Sequence, residues 1–450
     1  MVSRIRYLST LCLQLQIPVF AGMKKALMMN RTKETFVTAF ALFSLFFGAG
    51  NLILPPLLGF KSGEIWWLVT LGFCLSAVLI PIFGILAHAR LQGTMLDFAN
   101  KVSPTFSIVY CYIVYAISIS LPSPRTASVT HEMGIQPFFD SPSVLTSLVY
   151  FALVFIFVMN RSKILDIIGK LLTPAIILIL FAIIGITLFW YDFQFGETNF
   201  GSPFTDGILE GYQTFDAIGA VVVGGVIIIS INIKNKKASF EEKKSLIRRA
   251  GWLAGLGLFI IYAGLILTGA LMSDEFNSEI SRTALLSGLS TKTLGNAGNL
   301  FLSILVSLAC FTTAVGVVTG TADFIKHRFG GSQKAYLITA IIGCVLGVAM
   351  GQFDVHYIIA VAVPALMFIY PITIVLILLN VVPERFASEK VFRAVILTTI
   401  LFSIPDFLGS IGFQGSTALL RNYIPLSKFS MGWVLPAMTM FVLANLFQRK

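Results

Sequence analysis

The stretch Phe46-Phe47-Gly48-Ala49-Gly50-Asn51-Leu52-Ile53-Leu54-Pro55-Pro56 sits inside a long apolar run, yet it is poor helix sequence. Two glycines and an asparagine weaken its centre, and the proline pair withholds two amide donors from its outer end. In hydrocarbon an unpaired backbone group costs several kcal/mol, so an opened helix persists only where its freed N–H and C=O groups bind something or line a cavity. A second such run, Phe215-Asp216-Ala217-Ile218-Gly219, precedes Gly224-Gly225 in the other half of the chain. Two interrupted helices at comparable places in two halves point to a transport site near the bilayer midplane. For Gly224-Gly225 alone, close helix packing explains the small residues as well. Asn51 argues for unwinding in the first run, because it adds a costly polar side chain to a segment already short of backbone bonds.

The setting of these runs is a membrane. Of the 450 residues 56% are apolar and only 12% are charged, and the mean hydropathy is +0.88. A soluble chain would need charge over most of its surface, so this surface faces a lipid bilayer. A hydrocarbon core about 30 Å thick takes roughly 20 apolar residues per helical crossing. Such runs predict an all-α polytopic membrane protein of about 12 transmembrane helices, near 36–58, 64–88, 104–132, 143–160, 164–190 and 207–232, then near 247–272, 294–326, 335–351, 356–380, 391–411 and 430–447. Residues 1–22 have only short, interrupted apolar runs, whereas Met23 opens a basic lead-in; the first 22 residues are expected to be a disordered leader or to lie upstream of the true start.

Charge supports the helix assignment independently. With the N-terminus inside, 26 of the 32 Lys and Arg residues fall on the inner side, including the basic loop 233–249, while 133–142 and 191–206 carry acids but no Lys or Arg. The positive-inside rule then places both termini in the cytoplasm. The net charge of +11 therefore belongs to short loops rather than to a basic face, and nucleic acid is not a partner. The five cysteines, Cys12, Cys74, Cys111, Cys310 and Cys344, show no CxxC spacing, so neither a zinc site nor a disulfide framework is indicated. Asp323 and His327 lie one helical turn apart at a basic helix end, which fits capping or snorkelling. No HExxH, paired carboxylates or Ser/His constellation suggests an enzyme. A channel would need rings or stripes of polar residues, and the spans lack them.

Three polar features remain inside the spans. Helix 8 carries Thr312-Thr313 after Ala309-Cys310-Phe311; threonine hydroxyls in membrane helices commonly bond back to a carbonyl one turn earlier, and beside a broken helix 1 they also suit a small cation. Helix 3 carries Arg125 in Pro122-Ser123-Pro124-Arg125-Thr126; it either snorkels to the outer surface or needs an internal partner, for which Asp216 on helix 6 is the candidate.

The runs Phe46 to Gly59, Ser123-Pro124-Arg125-Thr126-Ala127 and Phe215-Asp216-Ala217-Ile218-Gly219-Ala220 resemble the bacterial branched-chain amino acid transport system II carriers, the branched-chain amino acid:cation symporters. The resemblance covers almost all of the chain after Met23. It implies membership of the amino acid–polyamine–organocation superfamily and a five-plus-five inverted repeat. Helices 1–5 (23–190) would match helices 6–10 (191–380), with helices 11 and 12 (381–450) peripheral, and the broken helices 1 and 6 fall at corresponding positions. The implied activity is sodium-driven uptake of leucine, isoleucine and valine into a bacterial cell through its inner membrane. Proton coupling through Asp216, or another neutral amino acid, is the alternative.

A substrate of this kind fits the residues. Opened helix ends at Phe47, Gly48, Ala49, Gly50 and Asn51, and at Phe215, Asp216, Ile218 and Gly219, supply amide donors and free carbonyls for the carboxylate and ammonium, and Phe46, Phe47, Phe215 and Ile218 supply apolar surface. No cofactor is expected beyond sodium as the coupling ion. Its expected ligands are carbonyls near Ser44, Phe47 and Ala309 with the hydroxyl of Thr312 or Thr313, since sodium prefers oxygen and a neutral cage can replace its hydration shell. Arg125 and Asp216 are expected to support or gate the outer part of the path.

Overall fold

The computed structural model describes residues 32–44, 46–160, 164–234, 239–413, 415 and 422–448, and among them the regular structure is all helical. Eight helical runs are long and apolar enough to cross a membrane, and the shorter apolar helices Ser143–Met159, Asp216–Gly225 and Val434–Gln448 join them. One of the eight, Gly50–Leu91, changes direction at Gly63, where φ is +51°, and makes two passes. Among the described residues the bundle therefore has twelve crossings.

Span 1 is α1 (residues 32–44) and α2 (Ala49–Ser62); span 2 is α3 (Trp66–Cys74), a π turn over Leu75–Leu79, and α4 (Ile80–Leu91). The short α5 (Met95–Asn100) leads to span 3, made of α6 (Pro104–Ser120), α7 (Pro122–Val129) and a π turn over Thr130–Ile135. Spans 4 and 5 are α8 (Ser143–Met159) and α9 (Ile164–Trp190). Span 6 is α10 (Pro203–Tyr212) and α11 (Asp216–Lys234), and span 7 is α12 (Phe240–Leu271). The last five are α13 (Arg282–Arg328), α14 (Gln333–Gly351), α15 (Val355–Val381), α16 (Glu389–Ser410) and α17 (Val434–Gln448).

Several boundaries differ from the sequence expectation for identifiable reasons. Pro55 and Pro56 do not end span 1; α2 continues through both to Ser62. Packing against α12 holds it there, and membrane helices tolerate prolines where neighbours enclose the freed groups. In span 6 the opening covers Gln213-Thr214-Phe215, so Asp216, Ala217, Ile218 and Gly219 form the first turn of α11 instead of unwinding. Span 7 starts at Phe240, because Ser239 and Glu242 form a capping box ahead of the basic turn. α13 starts at Arg282, capped by Ser281, and Gly295 with φ +72° separates this leading arm from the crossing part. The leader expectation for 1–22 and the middle of the loop 233–249 lie outside the described residues.

Spans 1, 2, 6 and 7 pack most intimately, through glycines that admit backbone. A Cβ on Gly59 would overlap the Ile266 carbonyl, and one on Gly269 would overlap the Pro56 carbonyl, so α2 and α12 interlock. Across the bundle, a Cβ on Gly84 of α4 would press on Ala220 of α11, and one on Gly224 would meet the His88 ring. Pairing 1 with 7 and 6 with 2 is the relation expected if spans 1–5 repeat as 6–10. The loop 191–202 is tied down as well: Asn199 N–H bonds the Lys61 carbonyl at 2.8 Å, and the Gly196 carbonyl occupies the place a side chain on Gly63 would take.

The interlock predicts that Gly59→Ala or Gly269→Ala destabilises the protein by about 1–3 kcal/mol, because backbone must move to admit each methyl. Gly185→Ala in α9 meets nothing within 4 Å and serves as the control. Thermal unfolding in detergent should show lower midpoints for the first two and no loss for the third. Equal midpoints for all three would remove the interlock.

Candidate functional site

At the opening of span 1 the backbone bonds can be followed individually. Phe47 N–H keeps its helical bond to the Phe43 carbonyl at 2.9 Å, but Gly48 N–H turns to Phe46 at 3.0 Å and Asn51 N–H to Gly48 at 3.1 Å. A continuous helix would send those two amides to the carbonyls of Ser44 and Phe47. Both expected carbonyl donors for a cation are thus passed over by the helix ladder. Gly48 is the extended N-cap of α2, so the amides of the first turn of α2 point into the opening.

Span 8 meets this opening at Thr313, whose Oγ1 is the atom nearest to the position of a Cβ on Gly48, at 3.9 Å. The hydroxyls of Thr312 and Thr313 both donate to the Ala309 carbonyl, at 3.0 and 2.9 Å. Back-bonding is therefore adopted by both, and it engages the Ala309 carbonyl while leaving the hydroxyl lone pairs free. The Ser44 side chain reaches Thr173 of α9 at 2.8 Å.

Span 6 opens differently. Gln213, Thr214 and Phe215 direct their amides to residues three earlier, which tightens the end of α10, and Phe215 then takes φ +62° as the chain enters α11. The first turn of α11 is partly capped from outside. Asp216 N–H donates to the Thr214 hydroxyl at 3.2 Å and Ala217 N–H to the Tyr370 hydroxyl of α15 at 3.2 Å.

Two buried charges lie at these openings. Arg125 is 5% exposed; its Nη1 donates to the Gln213 carbonyl at 2.7 Å, and its guanidinium lies 5.4 Å from the centre of the Phe215 ring. A side chain on Gly50 would overlap that guanidinium, so Gly50 makes room for Arg125. Snorkelling is excluded by this geometry. The expected partnership with Asp216 is also corrected: none of the ion pairs among the described residues joins them. Asp216, 6% exposed, instead accepts a 2.6 Å hydrogen bond from the Asn51 amide, which also donates to the Tyr262 hydroxyl. Each charge is thus satisfied by a neutral dipole from another span, because guanidinium and carboxylate lie on different faces of the first turn of α2.

The structure brings together Gly50, Arg125 and Phe215, then Asn51 and Asp216, then Gly48 and Thr313. Phe47 is buried and stacks on Phe43 and on Tyr262, with ring centres 4.9 and 6.4 Å apart. Gly219 has no atom within 4 Å of where its Cβ would be and borders open space. Ile218 packs in the apolar cluster with Leu366 and Ile369 of α15. Tyr262, Tyr370, Gln213 and Thr214 escaped the sequence reading; a hydroxyl or amide in mid-span was the available signal for each. On the side of the 191–206 loop, a cavity of about 330 Å³ reaches Gln213, lined also by Phe200, Asp206 and Met367. Next to it Arg282 of α13 pairs with Glu210 of α10 at 2.8 Å.

Broken helices and paired halves agree with what the chain is similar to. The structure of Mhp1 in an inward-facing conformation aligns with 92% of this chain and 90% of its own at a TM-score of 0.60 and 13% identity. MhsT in complex with L-phenylalanine covers 92% and 97% at 0.54 and 15%. These likenesses show the fold alone. Among sequences, the branched-chain amino acid permease BraB of Bacillus subtilis is 34% identical over 416 residues, 90% of this chain and 93% of its own. The branched-chain amino acid transport system 2 carrier protein of Pseudomonas aeruginosa is 32% identical over 419 residues, 91% and 95%. The family model described as branched-chain amino acid transport protein matches residues 31–450, and the chain belongs to that family.

Proposed function

We propose that this protein is a sodium-coupled symporter that carries leucine, isoleucine and valine into a bacterial cell by alternating access. The observation that carries the reading is the pair of openings in spans 1 and 6, which face each other across Arg125, Asn51 and Asp216. Half-helix N-termini favour an anionic group, and carbonyls released from the ladder favour a cation. The names of the relatives support branched-chain amino acids as the substrate class, and the Phe47 and Phe215 rings beside the openings suit an apolar side chain. Sodium would lie between the Ser44 and Phe47 carbonyls and the Thr313 hydroxyl. The Ala309 carbonyl or Thr312 would complete the cage. Residues 23–190 and 191–380 would be the two inverted repeats, with 381–450 peripheral.

Proton coupling is the second reading, favoured by the buried Asp216 carboxylate. The two separate in proteoliposomes. Labelled leucine should accumulate under an inward sodium gradient and not under a proton gradient alone. Thr313→Val or Thr312→Val keeps the side-chain shape and removes an oxygen; at least one should raise the half-saturating sodium concentration on the order of tenfold, as about 1.4 kcal/mol of lost coordination would. Asp216→Asn should change that concentration less. Uptake that follows protons and ignores sodium would transfer coupling to Asp216.

The inner membrane location carries an orientation that can be checked separately. Both termini and the loop 233–249 would be cytoplasmic and 191–206 external. In a background without reactive native cysteines, Thr198→Cys should label from outside in intact cells with an impermeant reagent, and Lys237→Cys should not. The reverse pattern would invert the topology.

A further inference from the structure

We propose that Arg125 and Asp216 are a split charge pair that recognises the two ends of a zwitterionic α-amino acid, Arg125 taking the carboxylate and Asp216 the ammonium. The proposal rests on the transport reading above and names the groups that read the substrate.

Both side chains are at least nine-tenths buried, and burying a charge without a counter-charge costs several kcal/mol even after relaxation. The cheapest arrangement for two opposite charges at one site is a direct ion pair, and the fold does not make it. Arg125 is given a backbone carbonyl, that of Gln213 at 2.7 Å, and Asp216 is given an amide, that of Asn51 at 2.6 Å. A guanidinium has five N–H donors and that bond accounts for one of them. Residues 50 and 51 of α2 mediate the separation. Gly50 lies against the guanidinium and Asn51 holds the carboxylate, so the first turn of α2 is wedged between the charges.

The helix ends decide which charge needs an anion from elsewhere. Asp216 is the first residue of α11, where the dipole of that helix already favours a carboxylate. Arg125 has the reverse situation: it stands at the N-terminal turn of α2, where the dipole is also positive. Cation and helix end together make a strong anion site, and a guanidinium grips a carboxylate at two points. An α-amino acid carries its carboxylate and ammonium on one carbon, so a single ligand can bridge a guanidinium and a carboxylate that do not touch. A ligand with only one of the two charges leaves the other side chain without its counter-ion.

The test is a cycle between protein and ligand on the purified full chain. Binding is measured by competition against labelled leucine, or directly in weakened variants, for leucine, leucinamide, which lacks the carboxylate, and 4-methylpentanoate, which lacks the ammonium. In the unmodified protein both analogues should bind about 100-fold more weakly than leucine or worse, the scale of a buried charge left unpaired. Arg125→Gln should weaken leucine by a similar factor and leave leucinamide within about threefold, since their shared loss is one interaction. Asp216→Asn should do the same for leucine against 4-methylpentanoate. Where Arg125→Gln does not fold, Arg125→Lys carries the test; it should keep a preference for leucine over leucinamide, reduced because an ammonium makes one contact where a guanidinium makes two. Equal losses for leucine and its analogue in these variants would make Arg125 or Asp216 a structural residue and overturn the proposal. So would an unmodified protein that binds leucine and leucinamide alike, with the transport reading intact. An unmodified protein that binds no branched-chain amino acid would overturn both.

Discussion

A backbone amide or carbonyl in hydrocarbon must find a partner, and the architecture follows from the few places where this chain leaves that rule unsatisfied by its own helices. At Phe47-Gly48 and at Gln213-Thr214-Phe215 the ladder is interrupted, and at the second opening side chains from other spans compensate. Arg125 from span 3 covers the Gln213 carbonyl, and Tyr370 from span 10 covers the Ala217 amide. The opening of span 6 is therefore specified by residues distant in sequence, and that of span 1 by its own glycines. The former would not survive in an isolated helix.

Holding half-helices in place is a separate problem, because a broken span loses the stiffness that a continuous ladder supplies. The chain meets it with glycine contacts that bring neighbouring backbones together. Gly59 and Gly269 lock α2 to α12, Gly72 and Gly207 bring α3 and α10 within backbone contact, and Gly84 and Gly224 admit the Ala220 methyl and the His88 ring between α4 and α11. Lipid provides no hydrophobic drive between helices, so van der Waals contact at this range is the main available attraction. The half-helices α2, α10 and α11 are thus each held against a neighbouring span.

Much of this was legible in the sequence, and the exceptions share a cause. Apolar run lengths and the distribution of Lys and Arg gave twelve crossings and their order, since both signals are local. Gly48 marked the first opening, again from local propensity, whereas Ala49, Gly50 and Asn51, expected to be opened as well, form the first turn of α2. The end of span 1 was read a few residues short of Ser62, because how far α2 runs beyond Pro55-Pro56 depends on its packing against α12, about 200 residues away. The hydrogen-bond partner of Asp216 escaped the reading for the same reason. Charge complementarity suggested Arg125, whereas Asn51, 165 residues distant in sequence, is placed against it by the packing of spans 1 and 6. Tyr262 was invisible because a tyrosine in a span reads as apolar bulk until its hydroxyl is seen to accept from Asn51.

Phe215 ties these themes together. A bulky residue in the left-handed region costs roughly 1–2 kcal/mol, and a glycine would adopt φ +62° without that cost. The strain is compensated locally: the ring lies under the Arg125 guanidinium, and the preceding Gln213 carbonyl accepts from the same group. Arg125 therefore holds both the backbone and the side chain of the turn that opens span 6. Its burial is expensive, and the bond to the Gln213 carbonyl offsets part of that cost. Recognition of a ligand by this guanidinium would be coupled to the geometry of span 6 without any further device, because any shift of the guanidinium toward an incoming carboxylate is transmitted to Gln213 and Phe215. A site built this way would join substrate binding to the position of a half-helix, which is the coupling that alternating access requires.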